Sequence, residues 1–208
     1  MNSVERHAHW QTVYQTKGEH DMSWFEESPA ISLELIRATG VSTAASIIDI
    51  GGGTSRLVDA LLDESYSAVT VLDLSERALE TSKARLGPQS AANVKWVAVD
   101  LTAWEPSQAY DVWHDRATFH FLTDPNERTA YVERVLRAVR SGGHVIIGTF
   151  ALDGPERCSG LPVVRYDAAA ISKILGPSFD LSQSRMHAHQ TPTGAIQRFQ
   201  FNRFRRLN

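Results

Sequence analysis

Residues 45–65 read ASIIDIGGGTSRLVDALLDES. A short apolar run, three consecutive glycines and an amphipathic stretch follow one another without a break. The run suits a buried strand, and Leu57, Leu61 and Leu62 fall on one side of the helix expected after it. Gly51, Gly52 and Gly53 let the backbone turn sharply and bring it close to a ligand. The first turn of the helix then offers free N–H groups to anionic oxygens. This strand–turn–helix unit is the start of an open α/β sheet with a ligand at the strand ends.

The rest of the chain repeats the unit. SAVTVLDLSERALETSKARLG (67–87) is a second strand and helix, with Ser75 as cap and Gly87-Pro88 as stop. NVKWVAVDL (93–101) is a third strand and AYDVWHD (109–115) a fourth. In 124–143, Asp124 caps a helix, Pro125 opens it and Gly142-Gly143 closes it, before the strand HVIIGTF (144–150). Upstream, residues 3–40 read as helical: Ser3 is a weak cap, and SPAISLELIRATG (28–40) has Ser28 as cap and Pro29 in its first turn. After the helix YDAAAISKILG (166–176), alternation on both sides of TPTG (191–194) suggests an antiparallel strand pair. The expected fold is α/β, five parallel strands followed by an antiparallel pair, with helices on both faces.

The ligand follows from the acids. Asp73 ends the second strand about 20 residues beyond the glycines, where a carboxylate accepts from both hydroxyls of a ribose. A dinucleotide loop wants a third glycine at position 56, which holds Arg56, and no P-loop sequence occurs. Asp49, at the loop itself, suits an ammonium better than a phosphate. S-adenosylmethionine carries an ammonium, a carboxylate and a ribose without phosphate. Asp100, ending the third strand, is then placed for the adenine amino group.

The ordered series IIDIGGGTSRL, VTVLDLS, WVAVDL, YDVWHDRA and SGGHVIIGTF resembles the class I, seven-β-strand S-adenosylmethionine-dependent methyltransferases over nearly the whole chain. The resemblance implies a three-layer sandwich with strand order 3-2-1-4-5-7-6, the seventh strand antiparallel. It implies one domain over 1–208, an N-terminal helical lid (1–40) on a Rossmann-like core (46–208). It also implies that Asp49, Gly51, Gly52, Gly53, Asp73, Leu74, Asp100, Leu101 and Trp24 line the cofactor. The family's loop ends on a glycine where this chain has Ser55, tolerable for a ligand without phosphate. WHDRATFHF (113–121) and the tryptophan-bearing N-terminus, with Trp10, Tyr14 and Trp24, are similar to small thiol and thiopurine-type methyltransferases, and also to some protein-lysine methyltransferases.

The methyl is handed over beyond the end of strand four. His114 and Asp115 are the candidates for proton transfer, against readings as a strand-end histidine and a loop cap. Arg116, His120, Arg157 and Cys158 are the candidates for holding substrate, the last two in the Gly- and Pro-rich stretch 152–166. His187 and His189 share a strand face without a third ligand, so no metal is expected and a solvated face is preferred.

Bulk properties narrow the classes. The chain has 208 residues, 42% hydrophobic, enough for one sizeable core. A net charge of −3 argues against a nucleic-acid partner, and Arg198, Arg203, Arg205 and Arg206 read as a solvated strand face. One cysteine permits no internal disulfide. No signal peptide or spanning segment is visible, so neither membrane nor export is expected and the location is cytoplasmic. The expected function is methyl transfer to a small-molecule acceptor, a thiol or other soft nucleophile ahead. Protein-lysine methylation is the alternative, and a catalytically silent cofactor-binding scaffold the further one.

Overall fold

The computed structural model describes residues 3–208. Its elements are α1 (Ser3–Thr16), α2 (Ala30–Arg37), β1 (Ser46–Ile50), α3 (Leu57–Asp63), β2 (Ala68–Asp73), α4 (Glu76–Ala91), β3 (Val94–Ala98), β4 (Tyr110–Arg116), α5 (Pro125–Ala138), β5 (Val139–Phe150), the short β6 (Arg157–Cys158) and β7 (Leu161–Pro162), α6 (Ala168–Leu175), β8 (Phe179–Gln190) and β9 (Ile196–Arg206). The main sheet runs β3-β2-β1-β4-β5-β9-β8. Its first five strands are parallel, and β9 is antiparallel to both β5 and β8. Counted along this sheet, the order is the expected 3-2-1-4-5-7-6, with β6 and β7 forming a separate two-stranded hairpin.

Two apolar layers sandwich the sheet, because successive strand residues point to opposite faces. On one face Ile47, Val71 and Val112 pack with Leu35 and Ile36 of α2 and Leu57 and Leu61 of α3. On the other, Ile48, Trp113 and Val145 pack with Tyr131 and Val135 of α5 and Ile171 of α6. The connections change face between β3 and β4, and β1 and β4 are neighbours, so the crevice beyond their C-terminal ends is the switch point where such sheets bind ligands.

Three boundaries differ from the sequence expectation. Helix α5 ends at Ala138, and β5 begins there rather than at His144. Gly142 (φ 75°) and Gly143 sit inside the strand, where the β4–β5 register shifts. A Cβ on Gly143 would press on the carbonyls of Arg140 and Asp111 at 2.9 and 3.1 Å, so the glycines form a bulge, not a helix stop. Helix α4 passes through Gly87 (φ 74°) and Pro88 with a kink and ends at Ala91. Ser28 caps nothing; α2 starts after Pro29 without a side-chain cap.

Ser75 does cap α4. Its Oγ accepts from the Ala78 amide at 3.3 Å and donates to Gln11 Oε1 at 2.7 Å. Ser75→Ala should therefore lower stability by about 1 kcal/mol, read by urea unfolding.

Candidate active site

A cleft of about 790 Å³, counting its open mouth, lies at the switch point. One end is formed by the C-terminal ends of β2 and β3 and the turns after them, through Leu72, Asp73, Leu74, Val99, Asp100 and Leu101. The other end is aromatic, with Trp10, Tyr14, Trp24 and Phe121 beside Arg116 and Cys158. Trp10 is the hub of these rings, its centroid 5.1 Å from Phe121 and 5.8 Å from Trp24.

Of the glycine loop, Gly51 lines the floor, while Gly52 and Gly53 do not reach the cleft. Gly51 has φ 63°, and a Cβ there would lie 1.8 Å from Thr118 Oγ1. A Cβ on Gly53 would come within 2.7 Å of Tyr14 Oη and 3.0 Å of Asp73 Oδ2. Gly52 lies beneath, against Asp49 and Val71. Arg85, on α4, clamps the loop from outside: it donates to the carbonyls of Thr54 and Ser55 and pairs with Asp59 and Glu19. Arg56 turns away from the loop to pair with Glu19 and Glu27.

Asp73 is buried, and Oδ1 accepts from the Ser75 amide at 2.7 Å. Burial pushes its carboxyl up; the Ser75 amide pulls it down and Asp49 adds to the rise, leaving it at about 7. Asp100 behaves differently. Burial raises its carboxyl too, but hydrogen bonds from Ser3 and Thr102 outweigh it and hold the group below its ordinary value. Ser3 Oγ donates at 2.6 Å and Thr102 donates through N and Oγ1 at 2.9 and 2.7 Å.

Of the residues expected at the cofactor, Trp24, Gly51, Asp73, Leu74, Asp100 and Leu101 line the cleft. Asp49 lies behind the loop. Its Oδ1 accepts from His114 Nδ1 at 2.7 Å, and His114 Nε2 is 2.9 Å from Ser32 Oγ. Asp49 Oδ2 is buried with no protein partner. That orphaned acceptor and the two acids at the strand ends fit a ligand bearing a cation and a ribose.

The catalytic expectation for His114 and Asp115 needs correction: neither lines the cleft. Alternation along β4 explains it. His114 faces Asp49, its register partner on β1, and is 2% exposed. Asp115 faces the opposite layer with Trp113. It accepts from the amides of Thr118 and Phe119 and from Tyr131 Oη at 2.9 Å, capping the 3₁₀ turn Phe119–Phe121. Burial pushes its carboxyl up to about 6 against these hydrogen bonds.

The substrate expectations divide. Arg116 and Cys158 line the cleft; His120 and Arg157 do not. His120 is fully buried against Phe121 and Phe150, accepts from the Phe150 amide at 3.4 Å, and is pushed down to about 3 by burial and by Arg116. Arg157 is exposed and donates to the Gly160 carbonyl. The Cys158 thiol is pushed up to about 11, chiefly by burial, which leaves it a poor nucleophile. His187 and His189 are not a solvated face: both approach Glu26, at 3.6 and 3.4 Å, and His189 Nε2 donates to the Ser23 carbonyl at 2.7 Å.

A family model described as a methyltransferase domain matches residues 47–143, the stretch that builds the loop, the acids and the switch point. Over that stretch the chain is similar to methyltransferase domains. Its fold is shared with a Burkholderia thailandensis 1,6-didemethyltoxoflavin-N1-methyltransferase with bound 1,6-didemethyltoxoflavin and S-adenosylhomocysteine, with TM-score 0.78, 20% identity, 100% of this chain and 92% of that one. An *Anabaena variabilis* S-adenosylmethionine-dependent methyltransferase gives TM-score 0.76 at 14% identity, over 99% and 96%. In sequence, the domain is 29% identical over 115 residues to a malonyl-[acyl-carrier protein] O-methyltransferase of *Paenibacillus* sp., covering 53% of this chain and 41% of the relative. It is 28% identical over 142 residues to EEF1A lysine methyltransferase 2 of *Danio rerio*, covering 65% and 61%. The chain spans about half the length of the curated relatives it matches. Among the described residues no helix is long and apolar enough to cross a membrane.

The residues that sequence reasoning missed are Ser32, Arg85, Thr118, Tyr131 and Glu26. Their roles arise only from contacts between separate elements.

Proposed function

We propose that the chain transfers a methyl group from S-adenosylmethionine to a small-molecule acceptor in the cytoplasm. The observation that carries this is the two-ended cleft, with acids at one end and aromatic rings at the other. Asp73 would accept from the ribose hydroxyls and Asp100 would face the adenine amino group. The free oxygen of Asp49 would take up the donor's ammonium field, with His114 as its positioning residue. The donor supplies an activated methyl on a cationic sulfur. Trp10, Trp24 and Phe121 exclude water around it and favour the cation through their ring faces. Residues 3–40 act as a lid on the core 46–208, since Arg6, Trp10, Tyr14 and Trp24 complete the cleft.

Protein-lysine methylation is the second reading, favoured by the aromatic walls. Arg6 and Arg116 at the cleft weigh against a cationic acceptor there.

Calorimetry separates the cofactors. S-adenosylmethionine and S-adenosylhomocysteine should bind with 1:1 stoichiometry and NAD should not; NAD binding without the methyl donor would overturn the proposal. Labelled donor offered to thiols, acids, amines and a protein extract then reads the acceptor. Label in one protein band with no small product would move the assignment to lysine.

A further inference from the structure

We infer that the acceptor enters the cleft already anionic: a flat molecule carrying a carboxylate, thiolate or acidic phenolate as its nucleophile, held against Arg116. The inference rests on the methyl-transfer reading and deepens it.

The first observation is the inventory of proton acceptors. Among the described residues lining the cleft, the titratable side chains are Arg6, Tyr14, Asp73, Asp100, Arg116 and Cys158. The arginines are donors only. Tyr14 is pushed well above its ordinary value by burial and by Asp73, and Cys158 is raised as well, so both keep their protons near neutrality. Asp73 and Asp100 lie at the strand-end side assigned to the nucleoside. His114 and His120, the histidines nearest in sequence, are turned out of the cleft. An acceptor that must lose a proton during transfer therefore finds no base at the aromatic end.

The second observation is Arg116 itself. Its side chain is 11% exposed. Nη1 donates to the Trp24 carbonyl at 2.9 Å. Nη2 lies 3.1 Å from Glu26 Oε1 but is not aligned for a hydrogen bond, and Nε has no acceptor. Glu26 is also shared with His187 and His189. Arg116 lines the cleft, and its guanidinium, ion-paired with Glu26 through Nη2 and lacking an acceptor at the buried Nε, favours an oxyanion or thiolate beside it over a neutral or cationic acceptor. The rings beside it admit a planar body.

The step balances without a base. A lone pair on the anion forms the bond to the methyl carbon, and the carbon–sulfur bond breaks with its pair going to sulfur. An anion and a sulfonium become a neutral methylated product and a neutral thioether, and no proton moves. Arg116 stabilises the ionised acceptor that the reaction consumes.

The test uses the full chain saturated with S-adenosylhomocysteine and three probes of one shape: 2-naphthoate, 2-naphthamide and 2-naphthylmethylamine. The acid should bind on the order of tenfold or more tighter than the amide, the scale of a charge-assisted hydrogen bond, and the amine least. Arg116→Gln should abolish the preference for the acid, and Arg116→Lys, which keeps the charge without the fork, should retain part of it. Should the Gln variant fail to fold, the wild-type ranking and the Lys variant decide. Equal binding of the three, binding led by the amine, or binding of none overturns the inference while leaving the donor site standing. Failure of S-adenosylhomocysteine to bind at the outset instead removes the methyl-transfer reading.

Discussion

Replacing His114 by leucine should destabilise the protein by roughly 1–3 kcal/mol, the cost of leaving a buried carboxylate oxygen without its hydrogen-bond donor. Asp49 is 2% exposed, and its single partnered oxygen is the one held by His114. With the imidazole gone, neither carboxylate oxygen has a donor, and Ser32 Oγ loses its contact as well. A double variant, Asp49→Leu with His114→Leu, removes both polar partners and should recover most of the lost stability. Urea unfolding of the two single variants and the double variant measures the coupling. A purely structural pair would leave ligand affinity proportional to the folded fraction. A positioning pair predicts that the double variant, though folded, binds S-adenosylmethionine at least tenfold more weakly than wild type, the scale of one lost charged hydrogen bond. Wild-type affinity in that variant would refute the positioning role of His114.

Asp73→Ala should weaken S-adenosylmethionine binding by about 1–3 kcal/mol, because the ribose hydroxyls lose an acceptor in a desolvated place. Wild type should also show a pH dependence that the variant lacks. The Asp73 carboxyl, pushed up by burial, titrates near 7 in the free protein. Hydroxyl donors favour its ionised form, so the bound state has the lower value and binding releases a proton. Affinity should then be highest above pH 7 and fall with acidification, approaching tenfold per pH unit well below 7. The sign for folding is opposite. A carboxyl raised in the folded state contributes stability that is full below its unfolded value and is lost as pH rises to about 7. Ligand-induced thermal stabilisation should therefore grow with pH over the range in which the free protein weakens. Calorimetry in buffers of different ionisation enthalpy counts the released proton, and its absence would show that Asp73 does not carry the ribose.

The succession of strands and helices was legible because each strand–helix unit carries its own punctuation, while the order of strands in the sheet came with the family resemblance. Asp124 and Pro125 mark the start of α5, and the glycine loop marks the turn after β1. The errors fall where a glycine has two meanings. Gly142-Gly143 reads as a helix stop, and only the β4–β5 register reveals a bulge. At the site, residues at strand ends were legible because open sheets place ligands there. The direction of β4's side chains was not, because pleating sends His114 and Asp115 to opposite layers while both remain one step from the cleft. Arg116, next along the strand, reaches it. Glu26 and Arg85 were invisible as site residues because their roles exist only after distant elements meet.

One such meeting has a consequence for the order of assembly. His189 Nε2 and the Ser23 carbonyl are separated by 166 positions, and Arg185 pairs with Glu34 across 151. Contacts of this span close the largest loops and are slow to form. During synthesis the glycine loop, β2 and β3 emerge before β8 and β9. Glu26, which lies beside Arg116, is fastened by histidines of that late strand. The strand ends proposed to hold the nucleoside are thus synthesised before the strand whose histidines fasten Glu26 beside Arg116.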